Sequence, residues 1–253
     1  MSIPVVSQPL EFIPPIQKWS PPPRAVRVPS DGIDLWKIRL DPALYDLEGI
    51  FQCLPADEKA RAARLQSDFT RSRFLIGRYA LRSIIGVYTS TTAMEVPFEY
   101  GDRGKPRLPS SFGGPYFNLS HSGDIAVLAV TGIDDVGIDI EQIRKVGQLD
   151  RIAERFFKQA DAAHLKTLRI HEALPLFFSL WTGLEARHKV LGHGVFNPET
   201  TLATNDADSF PALPLVPEEG YIGAISMCRQ IPPRHLWNSY EFTKIFPFHA
   251  EKE

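Results

Sequence analysis

Asp139 and Glu141 in VGIDIE, and Glu185 and Lys189 in WTGLEARHK, are the residues whose types and spacing could do chemistry. VGIDIE reads as a strand with Val136, Ile138 and Ile140 on one face, so Asp139 and Glu141 point together to the other. WTGLEARHK reads as a helix in which Trp181, Glu185 and Lys189 stack on one side at intervals of four. Each pattern has an ordinary reading when taken alone. Alternation is the signature of a half-buried strand with one wet face, and Glu185–Lys189 is an i,i+4 ion pair. Together, and framed by apolar residues, they are three carboxylates able to converge with a lysine one turn beyond. That set suits a hard divalent cation, which takes few protein carboxylates and completes its shell with water and phosphate oxygens.

The elements that must position these residues follow from periodicity. Residues 1–30 hold 8 of the 22 prolines and should be extended or wrapped over a surface. Asp34–Leu40 alternates as a strand, Pro55-Ala56-Asp57-Glu58 opens a helix, and a second helix spans Asp68–Tyr88. Val96–Tyr100, Tyr116–Ser120 and Ile125–Thr131 read as strands, with a turn at Thr131–Asp135 before VGIDIE. A helix near Leu149–Phe157, a long helix across Pro175–Leu191 with the proline in its first turn, and strands at Tyr221–Met227 and Tyr240–Phe246 follow. Residues from Asn197 to Glu219 carry four prolines and read mostly as loop. The order of elements recurs, which predicts a two-lobed α+β protein: an extension at 1–30, one lobe at 31–131 and another at 132–253.

At 253 residues and 43% hydrophobic, the chain can bury a real core. A net charge of -2 gives no broad basic field for nucleic acid. Cys53 and Cys228 make neither a disulfide framework nor a cysteine metal site, and fit a reducing compartment. No apolar run is long enough for a bilayer, and no signal peptide is evident. The expectation is a cytoplasmic protein without membrane or nucleic-acid partners.

Three further segments could touch a ligand. GDRGKPRLP at Gly101–Pro109 is glycine-rich and basic, but its spacing is not that of a phosphate loop. FNLSHSG places Ser120 and His121 past a strand end, where adjacent side chains point apart and a nucleophilic dyad is disfavoured. They could instead donate to a phosphate, or simply stabilise a turn. Lys59, Arg61, Arg64, Arg71, Arg73, Arg78 and Arg82 crowd the two early helices and read as a solvated face.

FNLSHSG, VGIDIE and WTGLEARHKVLGHG, in this order and with GKP upstream, resemble the 4′-phosphopantetheinyl transferases of the surfactin-synthetase-activating type. The resemblance spans roughly Leu35 to Gly194. It implies a pseudo-dimer of two similar lobes, each a small antiparallel sheet on a long helix, with coenzyme A bound between them. It implies magnesium-dependent transfer of the phosphopantetheine arm of coenzyme A to a serine of an apo acyl, peptidyl or aryl carrier protein. Adenosine 3′,5′-bisphosphate is released, and a monomer is expected. By the same resemblance, Asp139, Glu141 and Glu185 hold the metal, and Glu185 is the candidate base. Lys189 neutralises the diphosphate. Gly104, Lys105 and Pro106 lie beside the adenine, Ser120 and His121 at the nucleotide's phosphate end, and Lys59 and Arg73 fall near family basic positions.

The chain departs from the family pattern W-x-x-K-E-A-x-x-K at Leu184, which stands where lysine is usual. Arg187 or His188, three and four residues on, is expected to replace part of that charge. Leu184 also keeps open a weak or silent homologue that binds coenzyme A or a carrier protein. The resemblance does not say whether a fatty acid, polyketide or nonribosomal peptide carrier is served.

Overall fold

A computed structural model of the protein describes residues 13–101, 104–192 and 210–243. Its described elements are β1 (Ile33–Arg39), α1 (Leu47–Gln52), α2 (Ala56–Ala63), α3 (Asp68–Thr89), β2 (Glu99–Tyr100), β3 (Pro106–Arg107), β4 (Tyr116–Ser122), β5 (Ile125–Thr131), β6 (Val136–Gln142), α4 (Leu149–Phe156), α5 (Gln159–Leu165), α6 (Ile170–Val190), β7 (Ala212–Leu215), β8 (Tyr221–Met227) and β9 (Trp237–Phe242). They form two compact units, each a small sheet with one long helix, and the architecture is α+β. Unit I comprises Met1–Lys18, Ser120–Gly123 and Asp134–Ile231; unit II comprises Trp19–Leu119, Asp124–Ile133 and Pro232–Glu253.

Unit II carries the sheet β4-β5-β1-β9. Trp36, Ile38, Leu128 and Val130 of β1 and β5 share a core with Leu75, Ile76, Leu81 and Ile85 of α3, which keep helical spacing. β1 pairs antiparallel with β5 but parallel with β9. That parallel pairing departs from the antiparallel sheet expected of each lobe. No hairpin joins β9 to β1, so the connection does not dictate direction. A buried polar network ties the two strands: Asn238 Nδ2 and Tyr88 Oη donate to the two carboxylate oxygens of Asp34, at 2.8 and 2.6 Å, and Trp36 Nε1 donates to Tyr88 Oη at 2.9 Å. The C-terminal strand, expected with the second lobe's elements, thus completes the sheet of unit II.

Unit I carries the sheet β6-β8-β7, antiparallel throughout, with α6 packed on β6 and β8. α6 starts at Ile170, so Pro175 lies inside the helix rather than in its first turn. The start is set by Glu172, whose Oε2 accepts from the Arg169 amide at 3.1 Å. Pro175 lacks the N–H that would reach the His171 carbonyl, and burial of Ala173, Phe177 and Phe178 against α4 and α5 offsets that lost bond. β7 falls within the segment expected as loop. Pro214 is tolerated because β7 is the edge of its sheet. Val96–Tyr100, expected as a strand, is paired only at Glu99–Tyr100. Residues 244–246 of the last expected strand and residues 1–12 of the proline-rich extension lie outside the described residues. Within the described part, Gln17 N donates to Val216 O at 2.8 Å in unit I, and Ser20 N to Ser239 O at 3.0 Å in unit II.

Candidate active site

The centre of unit I is the contact between β6 and α6. Gly137 makes it possible. A Cβ there would sit 2.1 Å from the Ala186 carbonyl oxygen and 2.7 Å from the Val190 amide nitrogen. Without one, the helix backbone lies directly on the strand. Asp139 is two residues on, on the same face, so this face is covered by a helix rather than wet. Asp139 is only 6% exposed. Lys189 reaches it from α6, with Nζ 2.6 Å from Asp139 Oδ1.

Ser120 completes the cluster. Its hydroxyl donates to Asp139 Oδ1 at 2.9 Å and accepts from Lys189 Nζ at 3.0 Å and from the Ile140 amide at 3.3 Å. One donor and two lone pairs are thereby used, so this hydroxyl holds its neighbours and is no nucleophile. Two residues along, Ser122 repeats the arrangement: Oγ donates to Glu141 Oε2 at 2.7 Å and accepts from the Gln142 amide at 3.1 Å. Two serines with period two on β4 meet two carboxylates with period two on β6. That match was present in FNLSHSG and VGIDIE but has no meaning until the strands are known to adjoin. Glu141 Oε2 also accepts from Arg144 Nη1 at 2.9 Å.

Glu185, one turn before Lys189 on α6, shares this field. Burial, and then the Asp139 charge, push its carboxyl from 4.5 up to about 7; Glu141 adds to the rise and Lys189 opposes it. Burial likewise raises Asp139, against the pull of Lys189 and Ser120. The three carboxylates therefore share one field, with Lys189 on Asp139 and Arg144 on Glu141 to balance them. Among the described residues no three His, Cys, Asp or Glu stand grouped as a ready-made metal site. Yet Asp139 Oδ2 is buried and makes no hydrogen bond. An oxygen-lined, over-acidic cluster with an orphaned carboxylate oxygen fits a hard divalent cation.

Beside Glu141, within unit I, lies a cavity of about 430 Å³. Phe177, Phe178 and Trp181 form its apolar wall, and Arg144, Arg151 and Arg155 stand among its lining residues. Arg144 sits over the Phe178 ring at 5.8 Å and Arg155 over Phe156 at 5.1 Å. These arginines were not singled out from the sequence. Arg151 and Arg155 come from α4, one turn apart, a signal that helical spacing could have supplied.

Of the other residues expected at the ligand, His121 lies on β4 in unit I and the rest belong to unit II. Ser120 and His121 lie within β4 rather than past its end, and His121 is exposed and points away from buried Ser120. In unit II, Gly104 and Lys105 lie between β2 and β3, with Gly104 at φ +75°, and Pro106 opens β3. Arg73 pairs with Asp124 and lies over the Phe69 ring at 4.1 Å, and Lys59 Nζ donates to the Gln52 carbonyl at 2.9 Å. The early cations are not all a solvated face. Arg78 and Arg82 are buried on Glu58, and Arg71 binds Asp68 and the Leu65 carbonyl. Of the cations expected to offset Leu184, Arg187 Nε donates to the Phe210 carbonyl at 2.9 Å and His188 is buried. This geometry lends that compensation no support.

Two consequences are testable. Gly137→Ala forces α6 off β6 and separates Lys189 from Asp139. We expect a loss of about 1–3 kcal/mol in denaturant unfolding, the cost of overpacking. Retention of full stability would refute the close approach. Glu185 holds a proton in the fold up to about 7 that it loses at 4.5 when unfolded. Its contribution to stability is therefore fully present below 4.5 and is lost as pH rises through about 7. The metal-free Glu185→Gln variant should gain stability relative to the parent across that window, and a pH-independent difference would contradict the assignment.

Comparison with known proteins gives the same picture along most of the chain. Residues 135–224 match the 4′-phosphopantetheinyl transferase superfamily, and residues 39–132 match the 4′-phosphopantetheinyl transferase N-terminal family. The chain is 34% identical over 220 residues to the 4′-phosphopantetheinyl transferase HetI of Nostoc sp., a match covering 83% of this chain and 93% of that protein. It is 33% identical over 171 residues to the 4′-phosphopantetheinyl transferase psf-1 of Bacillus pumilus, covering 64% and 70%. It is 33% identical over 123 residues to the 4′-phosphopantetheinyl transferase AcpT of Escherichia coli, covering 48% and 58%. With its buried carboxylate–lysine cluster inside the matched superfamily segment, the chain belongs to the 4′-phosphopantetheinyl transferase family of enzymes.

Proposed function

We propose that this protein transfers the 4′-phosphopantetheine arm of coenzyme A to a serine of an apo acyl, peptidyl or aryl carrier protein, in the manner of the surfactin-synthetase-activating type. Adenosine 3′,5′-bisphosphate leaves. The observation that carries this reading is the cluster of Asp139, Glu185 and Lys189, where one buried carboxylate oxygen has no hydrogen bond and another carboxylate is held near neutrality. Asp139, Glu141 and Glu185 would hold magnesium, which supplies positive charge to the diphosphate when bound.

The chain's own residues then have distinct tasks. Lys189 is a fixed cation on the same helix face as Glu185, placed to balance negative charge on the departing phosphate. Ser120 aims Lys189 and Asp139 at each other. Glu185, one turn before Lys189 on α6, is the base that accepts the serine proton. Phosphoryl transfer asks little covalent work of a protein, so placement and charge provide most of the rate. The cavity beside Glu141 offers aromatic surface within a basic rim. A carrier with acidic residues near its serine would find complementary charge at Arg151 and Arg155, which are exposed, in contrast to buried Arg78 and Arg82.

The test is direct. Incubation with an apo carrier, coenzyme A and magnesium should add one phosphopantetheine to the carrier's mass. Glu185→Gln should slow labelling about 10²–10⁴-fold with the fold retained. Coenzyme A binding without any mass gain would favour the silent homologue that Leu184 leaves open. Arg151→Glu with Arg155→Glu should raise the half-saturating carrier concentration and weaken the salt dependence of the rate, while the half-saturating coenzyme A concentration stays put. Unchanged carrier dependence would remove α4 from docking.

A further inference from the structure

In unit II, a very short hairpin has a costly anchor. β2 and β3 pair only Glu99 with Arg107 and Tyr100 with Pro106. Two pairs do not hold a hairpin in water. Its tie to the helices is Tyr100, whose hydroxyl donates to Glu58 Oε1 at 2.9 Å and accepts from Arg78 Nη2 at 2.5 Å. Glu58 is the hub. Arg78 Nε reaches its Oε1 and Arg82 Nε its Oε2, each at 2.9 Å. Arg82 Nη1 also donates to the Val96 and Ala93 carbonyls at 2.9 and 3.1 Å, holding the chain that leads into β2. Both guanidiniums also lie over the Phe98 ring, Arg82 at 4.9 Å and Arg78 at 5.3 Å.

Such a triad is poor value as a simple staple. Glu58, Arg78 and Arg82 are 2%, 8% and 4% exposed, and well-packed apolar residues would join α2 to α3 at least as firmly. Apolar residues could not fix the direction of a tyrosine hydroxyl. Burial pushes the Tyr100 phenol up to about 12, so it keeps the proton it donates to Glu58. Across the hairpin, Tyr100 faces Pro106 directly. The turn between them is closed by Gly104 N on Gly101 O at 2.8 Å and Gly101 N on Lys105 O at 3.1 Å. A shift of Tyr100 is therefore passed to Gly104, Lys105 and Pro106 through paired backbone.

We propose that Glu58, Arg78 and Arg82 form a clamp that, through Tyr100, positions the Gly104–Pro106 turn against the adenine nucleotide of coenzyme A. Tyr100 and Glu58 are positioning residues that do not touch the ligand. The inference rests on the proposed transfer from coenzyme A and on the placement, implied by the family resemblance, of Gly104, Lys105 and Pro106 beside the adenine.

The experiment uses the full chain with coenzyme A and adenosine 3′,5′-bisphosphate as probes. Tyr100→Phe keeps the ring and removes the hydroxyl. KM for coenzyme A should rise about five-fold, the effect of one lost hydrogen bond. By calorimetry, affinity for adenosine 3′,5′-bisphosphate should fall by the same factor, with kcat and the melting temperature little changed. Arg78→Lys keeps the charge on Glu58 but loses the fork that spans Glu58 and Tyr100, and should show the same split. Lys105→Ala tests the underlying reading. If it weakens nucleotide binding while Tyr100→Phe and Arg78→Lys do not, the clamp is refuted and the turn's assignment stands. If none of the three changes nucleotide affinity, the turn is not at the nucleotide and the clamp falls with it. A fall in kcat with unchanged KM would also overturn the proposal.

Discussion

The ion pair between Asp139 and Lys189 is the constraint on which unit I turns. A carboxylate 6% exposed is costly without a partner, and a lysine drawn against it is costly without a carboxylate. Their 2.6 Å contact exists because α6 lies flat on β6, and α6 lies flat because Gly137 has no side chain. Ser120 then spends its whole hydrogen-bonding capacity on keeping the two groups facing each other. Stability and chemistry pull in opposite directions here. Burial, and then the neighbouring Asp139 charge, lifts the Glu185 carboxyl to about 7.

Unit II solves a different problem with similar means. It also buries charge, but there two arginines surround one glutamate, and burial's tendency to raise the Glu58 carboxyl is outweighed by them, so it is held low. The balance favours a permanently ionised hub suited to fixing geometry rather than moving protons. A carboxylate held ionised in unit II thus contrasts with one raised to about 7 in unit I, the cluster proposed as the reactive one.

Charge counting along a sequence misjudged the early helices for a related reason. Arginines at positions 71, 73, 78 and 82 look like a basic surface. The fold turns Arg78 and Arg82 inward onto Glu58 and gives Arg71 and Arg73 to Asp68 and Asp124. Exposed positive charge beside an aromatic cavity comes instead from Arg151 and Arg155 on α4, where the sequence shows only an ordinary amphipathic turn.

By itself the sequence determined what depends on short-range periodicity and side-chain type. β1, β5, β6, β8 and α3 lie within a residue or so of where alternation or helical spacing put them, because each segment's burial pattern is written in its own residues. It also determined that Asp139 with Glu141, and Glu185 with Lys189, share faces. Only the tertiary structure decided which face of β6 meets a helix, that two serines of β4 serve the carboxylates, that β9 closes the other sheet in parallel, and that Pro214 stands in an edge strand. Those outcomes depend on contacts between segments far apart in the chain, where a missing Cβ at Gly137 or a free strand edge settles what local pattern leaves open.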